Sequence, residues 1–172
     1  MRTKKPWLKH YPEGTPHLLE FDPRGTLVKL LDESEKKYPD HLAFANFGAS
    51  IDFTKIAQDS RSFAAYLQNV LGLKKGDRIA MMMPNLLQYP VAIFGALRAG
   101  LIVVNVNPLY TPRELKHQLQ ASGAKTIIIF ENSAHVLSAI NDDLEIEHVI
   151  ITKIGDYLGV KGRLMNFVVK YV

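Results

Sequence analysis

The chain has 172 residues, 47% of them hydrophobic and 22% charged, with no cysteine and a formal net charge of +4. This composition predicts one globular domain burying roughly 70% of the surface its unfolded form exposes, and it excludes wholesale disorder, a disulfide framework, a thiolate zinc site and a cysteine nucleophile. No apolar stretch reaches the roughly 18 residues of a membrane span, and no apolar run follows the N-terminal bases as it would in a secretory signal, so the expected location is the cytoplasm.

In chain order, residues 1–25 hold four of the nine prolines and little periodicity, which predicts an extended arm. Its Trp7, Leu8, Tyr11, Leu18, Leu19 and Phe21 predict that the arm lies against the body. A helix is expected over 26–38, with Leu27, Leu30, Leu31 and Ser34 on one face and Pro39 ending it. Residues 42–47 and 50–53 flank Gly48-Ala49 and read as a hairpin. Thr54 is the expected N-cap of a long helix to residue 71. Ile56, Phe63, Ala64, Leu67, Val70 and Leu71 recur there at helical spacing, and Gly72 is the expected stop.

Beyond residue 77 the pattern alternates. Residues 78–83, 101–106, 125–130 and 147–152 are short, nearly continuous apolar runs, as in parallel strands buried on both faces. Helical segments are expected between them at 87–99, 112–122 and 133–142. The second is punctuated by Thr111 as N-cap, Pro112 at the first position, Glu114 completing a capping box and Gly123 as stop. Strand and helix in alternation, joined by short loops, predict right-handed crossovers and an α/β three-layer sandwich around a mainly parallel sheet. The chain then divides into an arm (1–25), an α/β subdomain (26–154) and the start of a further segment (155–172). In that last segment Leu164, Phe167, Val168 and Tyr171 form one stripe of an amphipathic helix that stops soon after it begins.

Basicity sits at the two ends. Residues 1–9 carry four bases and no acid, residues 153–172 four bases and Asp156, and the body between them 13 bases and 16 acids. The pI of 9.2 therefore marks no basic face, and no nucleic-acid partner is expected.

In an open parallel sheet, ligands sit at the carboxyl ends of the strands. Asn85, Asn107, Tyr110 and Thr111 are delivered to that edge and are candidates for touching a ligand. The competing reading is that Asn and Pro punctuate turns there and Thr111 only caps. Gly95-Ala-Leu-Arg-Ala-Gly100 has the glycine spacing of a phosphate loop, but Leu101 and Ile102 stand where Lys and Ser/Thr are needed. Helix packing at Gly95 and a helix stop at Gly100 are expected instead. The six histidines are scattered, Asp142-Asp143 closes a helix into a polar loop, and the three methionines 81–83 read as core. The residues by themselves offer no catalytic, cofactor-binding or metal-binding constellation.

The run Leu71-Gly-Leu-Lys-Lys-Gly-Asp-Arg-Ile-Ala-Met-Met-Met-Pro-Asn-Leu-Leu-Gln-Tyr-Pro90, continued by residues 95–115, resembles bacterial long-chain fatty-acid–CoA ligases of the adenylate-forming, or acyl-CoA synthetase, superfamily. Ile51-Asp-Phe-Thr-Lys-Ile56 is similar to the first core motif of that superfamily, and Leu97-Arg-Ala-Gly100 with the following strand to the second. Asn107-Pro-Leu-Tyr-Thr-Pro-Arg-Glu-Leu115 and Trp7-Leu8 point to the long-chain ligases. The resemblance runs from Trp7 onward and implies the N-terminal subdomain of the adenylate-forming fold. It implies for the parent enzyme a two-step reaction: a long-chain fatty acid and MgATP give an acyl-adenylate and pyrophosphate, and the thiol of coenzyme A then displaces AMP. The phosphate loop ending Pro-Lys-Gly, the adenine-contacting motif, the ribose-binding aspartate and the C-terminal lysine of the family match nothing here. The chain alone is therefore expected to be an inactive N-terminal part that binds no Mg, ATP or CoA. The resemblance further implies work at the inner membrane by peripheral contact, and it is compatible with a homodimer. The alternative is a stand-alone α/β ligand-binding or regulatory module; the unfinished stripe at 164–171 favours the ligase.

Overall fold

The structure is a computed structural model that describes residues 5–18 and 25–171; Arg2, Lys4, Leu19 and Phe21 of the expected arm lie outside the described residues. Between 5 and 18 the arm is not simply extended. Pro6 presets φ for a 3-10 turn over Pro6–His10, and every residue but Leu8 is exposed, Trp7 and Tyr11 included. Without a periodic apolar face, this stretch has nothing to seat on the body.

Helix α1 (Leu27–Lys37) starts at Thr26, whose hydroxyl accepts the Lys29 N–H at 3.0 Å. Of its expected inner row only Leu31 is buried, while Leu27 and Leu30 stand exposed, because α1 touches its neighbours along one narrow line. The hairpin pairs β1 (Leu42–Asn46) with β2 (Ala49–Asp52), and its turn is Phe47-Gly48, not Gly48-Ala49. Both turn residues have positive φ, the conformation that matches the twist of a two-residue hairpin. Helix α2 (Phe53–Asn69) is capped by Asp52, whose carboxylate accepts the Lys55 N–H at 2.6 Å. Thr54, the expected cap, lies inside the helix and ties it to the preceding loop by donating to the Pro39 carbonyl at 3.1 Å.

Four strands follow: β3 (Arg78–Met82), β4 (Ile102–Asn105), β5 (Thr126–Phe130) and β6 (His148–Thr152), all parallel in the order β4-β3-β5-β6. The connecting helices are α3 (Gln88–Arg98), α4 (Pro112–Ser122) and α5 (Ala134–Ser138). Helix α5 is much shorter than expected: a 3-10 turn takes Glu131–Ser133 before it and another Asn141–Asp143 after it. On one face of the sheet α2 and α3 bury Leu67, Ala92 and Ala96 against Ile79, Met81 and Ile128. On the other, α4 and α5 bury Leu115, Leu119 and Leu137 against Ala80, Met82, Ile127 and Ile129. This is the three-layer α/β sandwich. Burial on both faces holds for β3 and β5 only. As edge strands, β4 and β6 leave Ile102, Val149 and Ile151 about half exposed.

Helix α1 and the hairpin close on α2 and α3 around Leu31, Ile51, Ile56 and Val91. The Arg98 guanidinium locks this corner, bonding the Ser60 hydroxyl on α2 at 2.9 Å and the Asp32 carboxylate on α1. Gly100 (φ 79) ends α3, with the Leu101 N–H returning to the Ala96 carbonyl. A last helix, α6 (Gly159–Tyr171), follows β6.

Candidate functional site

The crossover from β3 to β4 runs over one face of the sheet through α3. Those from β4 to β5 and from β5 to β6 run over the other face, through α4 and α5. The chain therefore leaves the carboxyl ends of the neighbours β3 and β5 in opposite directions. That is a topological switch point, where open α/β sheets leave a crevice for a ligand.

On the α4/α5 side this edge forms an open shelf of about 570 Å³, lined among others by Pro84, Tyr110, Thr111, Asn132, Ser133 and His135. Two of the four residues singled out from the sequence, Tyr110 and Thr111, line it; Asn85 and Asn107 do not. Asn85 is exposed, and its backbone carbonyl accepts the side-chain amide of Asn46, which joins the hairpin to the sheet edge. Asn107 builds the turn after β4: its side-chain oxygen accepts the Leu109 N–H at 3.0 Å and its carbonyl the Tyr110 N–H at 3.1 Å. Tyr110 is half-buried against the core between sheet and α4. Thr111 completes the capping box. Its hydroxyl accepts the Glu114 N–H at 3.4 Å and donates to the Glu114 carboxylate at 2.7 Å, while its N–H donates to the same carboxylate at 2.8 Å. The hydroxyl bond first, and the backbone bond second, hold the Glu114 carboxyl below its usual range. The structure adds Ser133 and His135 to the shelf. The Ser133 hydroxyl donates to the Pro108 carbonyl at 3.2 Å, and His135 Nδ1 stands 2.8 Å from the Asn132 carbonyl.

A second cleft, of about 670 Å³, opens on the α2 side of the same edge. Its floor is apolar, with Phe63, Met83, Ile128 and Ile150; its rim is polar, with Lys55, Asp59, Gln88, Thr152, Asp156 and Tyr157. The rim groups pair among themselves. Asp59 accepts from Lys55 at 2.7 Å and from the Tyr157 hydroxyl at 2.6 Å, and burial, followed by that carboxylate, pushes the Tyr157 phenol well above its ordinary value. The buried Gln88 amide donates to the Thr152 hydroxyl at 2.9 Å and the Lys153 carbonyl at 2.8 Å, and Thr152 donates to Asp156 at 3.1 Å. Sequence reasoning missed this cleft. One signal was available, a glutamine on the inner side of an otherwise apolar helix turn.

The hydroxyl–carboxylate contacts at these concavities, Thr111 to Glu114, Thr152 to Asp156 and Tyr157 to Asp59, cap or cross-link elements of the fold, and the chemistry of both concavities is that of binding and support. Among the described residues no group of three or more His, Cys, Asp or Glu converges on a point where a metal ion could sit.

The chain matches the family described as AMP-binding enzyme over residues 31–165. It is 56% identical over 170 residues to a long-chain-fatty-acid–CoA ligase of Escherichia coli O157:H7, an alignment covering 98% of this chain and 30% of that protein. To the long-chain-fatty-acid–CoA ligase of Bacillus subtilis (strain 168) it is 38% identical over 158 residues, 92% of this chain and 28% of that one. The crystal structure of a long-chain-fatty-acid-CoA ligase from Archaeoglobus fulgidus has the same fold, with a TM-score of 0.72 at 23% identity over 83% of this chain and 30% of that chain. The chain thus spans about 30% of the length of the curated relatives it matches.

Proposed function

This chain belongs to the AMP-binding enzyme family, and we propose that it is the N-terminal portion of a long-chain fatty-acid–CoA ligase. The observation that carries the proposal is 56% identity across 98% of the chain to a ligase of that name. The reaction of the whole enzyme joins a long-chain fatty acid to coenzyme A with cleavage of ATP to AMP and pyrophosphate, through an acyl-adenylate. This reading is favoured over a stand-alone α/β module, because that alignment covers 98% of the chain, more than the family's matched span of residues 31–165.

Within that enzyme the chain builds the support and not the reacting centre. Its donor set does not fit a magnesium site, since the carboxylates at the carboxyl edge are each engaged by a neighbour: Asp59 by Lys55 and Tyr157, Asp156 by Thr152 and the Lys153 N–H. No step is therefore assigned to a metal on this chain. What the residues do is hold the switch-point crevice open at fixed geometry. Asn107 sets the loop after β4, Thr111 and Glu114 start α4 beside it, and Ser133 pins the loop after β5 to Pro108. Tyr110 and Thr111, on the shelf, are the residues proposed to meet a ligand edge.

A chimera tests the proposal. The matching N-terminal stretch of the Escherichia coli ligase is replaced by this chain, and oleate-dependent formation of AMP and acyl-CoA is measured. Thioester formation within roughly tenfold of the parent, a loss of about 1.4 kcal/mol in transition-state stabilisation, is expected. A chimera that folds, as judged by cooperative unfolding, yet forms no acyl-CoA overturns the proposal.

A further inference from the structure

Two hydrogen-bonded links at the carboxyl edge of the sheet each skip a strand. In the order β4-β3-β5-β6, Gln88 follows β3 and Thr152 ends β6. The Gln88 bonds to the Thr152 hydroxyl at 2.9 Å and the Lys153 carbonyl at 2.8 Å therefore pass over the end of β5. Ser133 follows β5 and Pro108 follows β4, so the bond from the Ser133 hydroxyl to the Pro108 carbonyl at 3.2 Å passes over the end of β3. Strands two apart in a sheet lie roughly 10 Å from each other, and the backbone ladder ties only neighbours. The Gln88 link lies on the α3 side of the sheet and the Ser133 link on the α4/α5 side. Together they tie all four strand ends, and the switch point between β3 and β5 lies between them.

The groups that make these links are buried. Of the five polar side chains buried among the described residues, Gln88, Ser133 and Thr152 are three. A polar group in such a place destabilises the fold unless it is bonded. Gln88 meets that condition with its two amide protons, one to each acceptor. Its acceptors do not depend on it. The Thr152 hydroxyl also donates to Asp156 at 3.1 Å, and the Lys153 carbonyl also accepts the Asp156 N–H at 3.3 Å. A methionine of similar length would fill the same space and leave neither group without a partner. Stability thus does not call for an amide at position 88. The amide adds direction, fixing the segment after β6 against the first turn of α3.

We propose that Gln88 is a positioning residue for the ligase reaction, its brace across β5 holding the walls of the switch-point crevice at one separation. The catalytic half of this proposal rests on the ligase reading; the brace is a property of the chain alone. In the 172-residue chain, Gln88→Met should keep the urea midpoint. Amide exchange should speed up at Lys153 and Asp156, whose N–H bonds close the turn held by Gln88, by about tenfold or more relative to Ala80 and Ile128 at the sheet centre. In the chimera, assayed where it is fully folded, Gln88→Met should lower kcat about tenfold or more while the KM for oleate moves less than about threefold, because a misplacement of roughly 1 Å is felt in the transition state. A residue that only stabilised the fold would leave the kcat of the folded enzyme unchanged. Thr152→Val removes one of the two acceptors and keeps the shape; it should show both effects in smaller measure, and it decides the matter if Gln88→Met does not unfold cooperatively. Unchanged exchange in a folded variant overturns the brace. An active chimera whose kcat is indifferent to Gln88→Met overturns the positioning role and leaves the ligase reading intact. A folded chimera that is inactive with Gln88 in place overturns the ligase reading and the positioning role with it, and exchange still decides the brace.

Discussion

Gly95 offers the sharpest test of how the α2–α3 pair is packed. A Cβ at this position would stand 2.7 Å from Phe63 Cδ1, 3.1 Å from Phe63 Cβ and 3.2 Å from the Ser60 carbonyl oxygen. Gly95→Ala pits two effects against each other. Alanine is favoured over glycine in a helix interior by about 1 kcal/mol, and overpacking a tight contact costs about 1–3 kcal/mol. The ring of Phe63 can swing to relieve the shortest contact. Its Cβ and the Ser60 carbonyl cannot, because they move only with α2 itself. The helices must part by a few tenths of an ångström, which loosens Ala64 and Leu67 against Ala92 and Ala96. The clash therefore wins, with a net loss of about 1–2 kcal/mol and a fall in Tm of roughly 2–8 °C for a chain of this size. Urea unfolding followed by circular dichroism reads it directly. Phe63→Leu in the Gly95→Ala background should recover part of the loss, since the two positions share the contact. A midpoint that stays or rises in Gly95→Ala would mean that helix propensity governs the site and that the close approach is not a packing constraint.

Thr111→Ala should cost about 1 kcal/mol at neutral pH by removing an N-cap. Because the folded Glu114 carboxyl is held low by Thr111, the stability it contributes is present above the unfolded carboxylate pKa and lost as pH falls through the lower folded value. The gap between the urea midpoints of parent and variant should therefore narrow at about pH 3, and the Glu114 resonance should titrate closer to the ordinary value in the variant; equal gaps at both pH values would refute the reciprocal bond. The 172-residue chain by itself should catalyse no fatty-acid-dependent exchange of labelled pyrophosphate into ATP. Donors that line the two concavities are engaged within the fold, Lys55 by Asp59, Gln88 by Thr152 and Lys153, and Ser133 by Pro108, and so are not aimed at charge developing on a phosphoryl group; exchange above a protein-free control would place the adenylating centre within these residues.

Much of the architecture was legible without coordinates, where one local rule governs. The four continuous apolar runs read alike as strands of a parallel sheet, and all four are; that 78–83 and 125–130 lie at its centre as β3 and β5, while the other two are half-exposed edges, was decided by the strand order. Thr111, Pro112, Glu114 and Gly123 marked both ends of α4 because capping is set by neighbours three or four residues away. Gly95 and Gly100 could be read as a close approach and a helix stop for the same local reason. Local rules failed where two acceptors compete across the fold. Asp52 took the cap of α2 expected of Thr54 once the hairpin fixed its backbone and freed Thr54 to reach Pro39. Leu27 and Leu30 repeat at helical spacing, but whether a row is buried depends on what lies opposite, and only Leu31 meets α2 and α3. The second cleft was invisible because its rim joins α2, α3, β6 and the loop before α6, with Gln88 and Thr152 sixty-four residues apart. The stripe on α6 was plain from the sequence in Leu164, Phe167 and Val168, whereas Tyr171's side chain lies outside what is described. Periodicity names the apolar side of a helix. Only the close approach of Gly155 to Gly162 and the Asn166 bonds to Gly155 and Asp156, which are tertiary, determine that this side faces out.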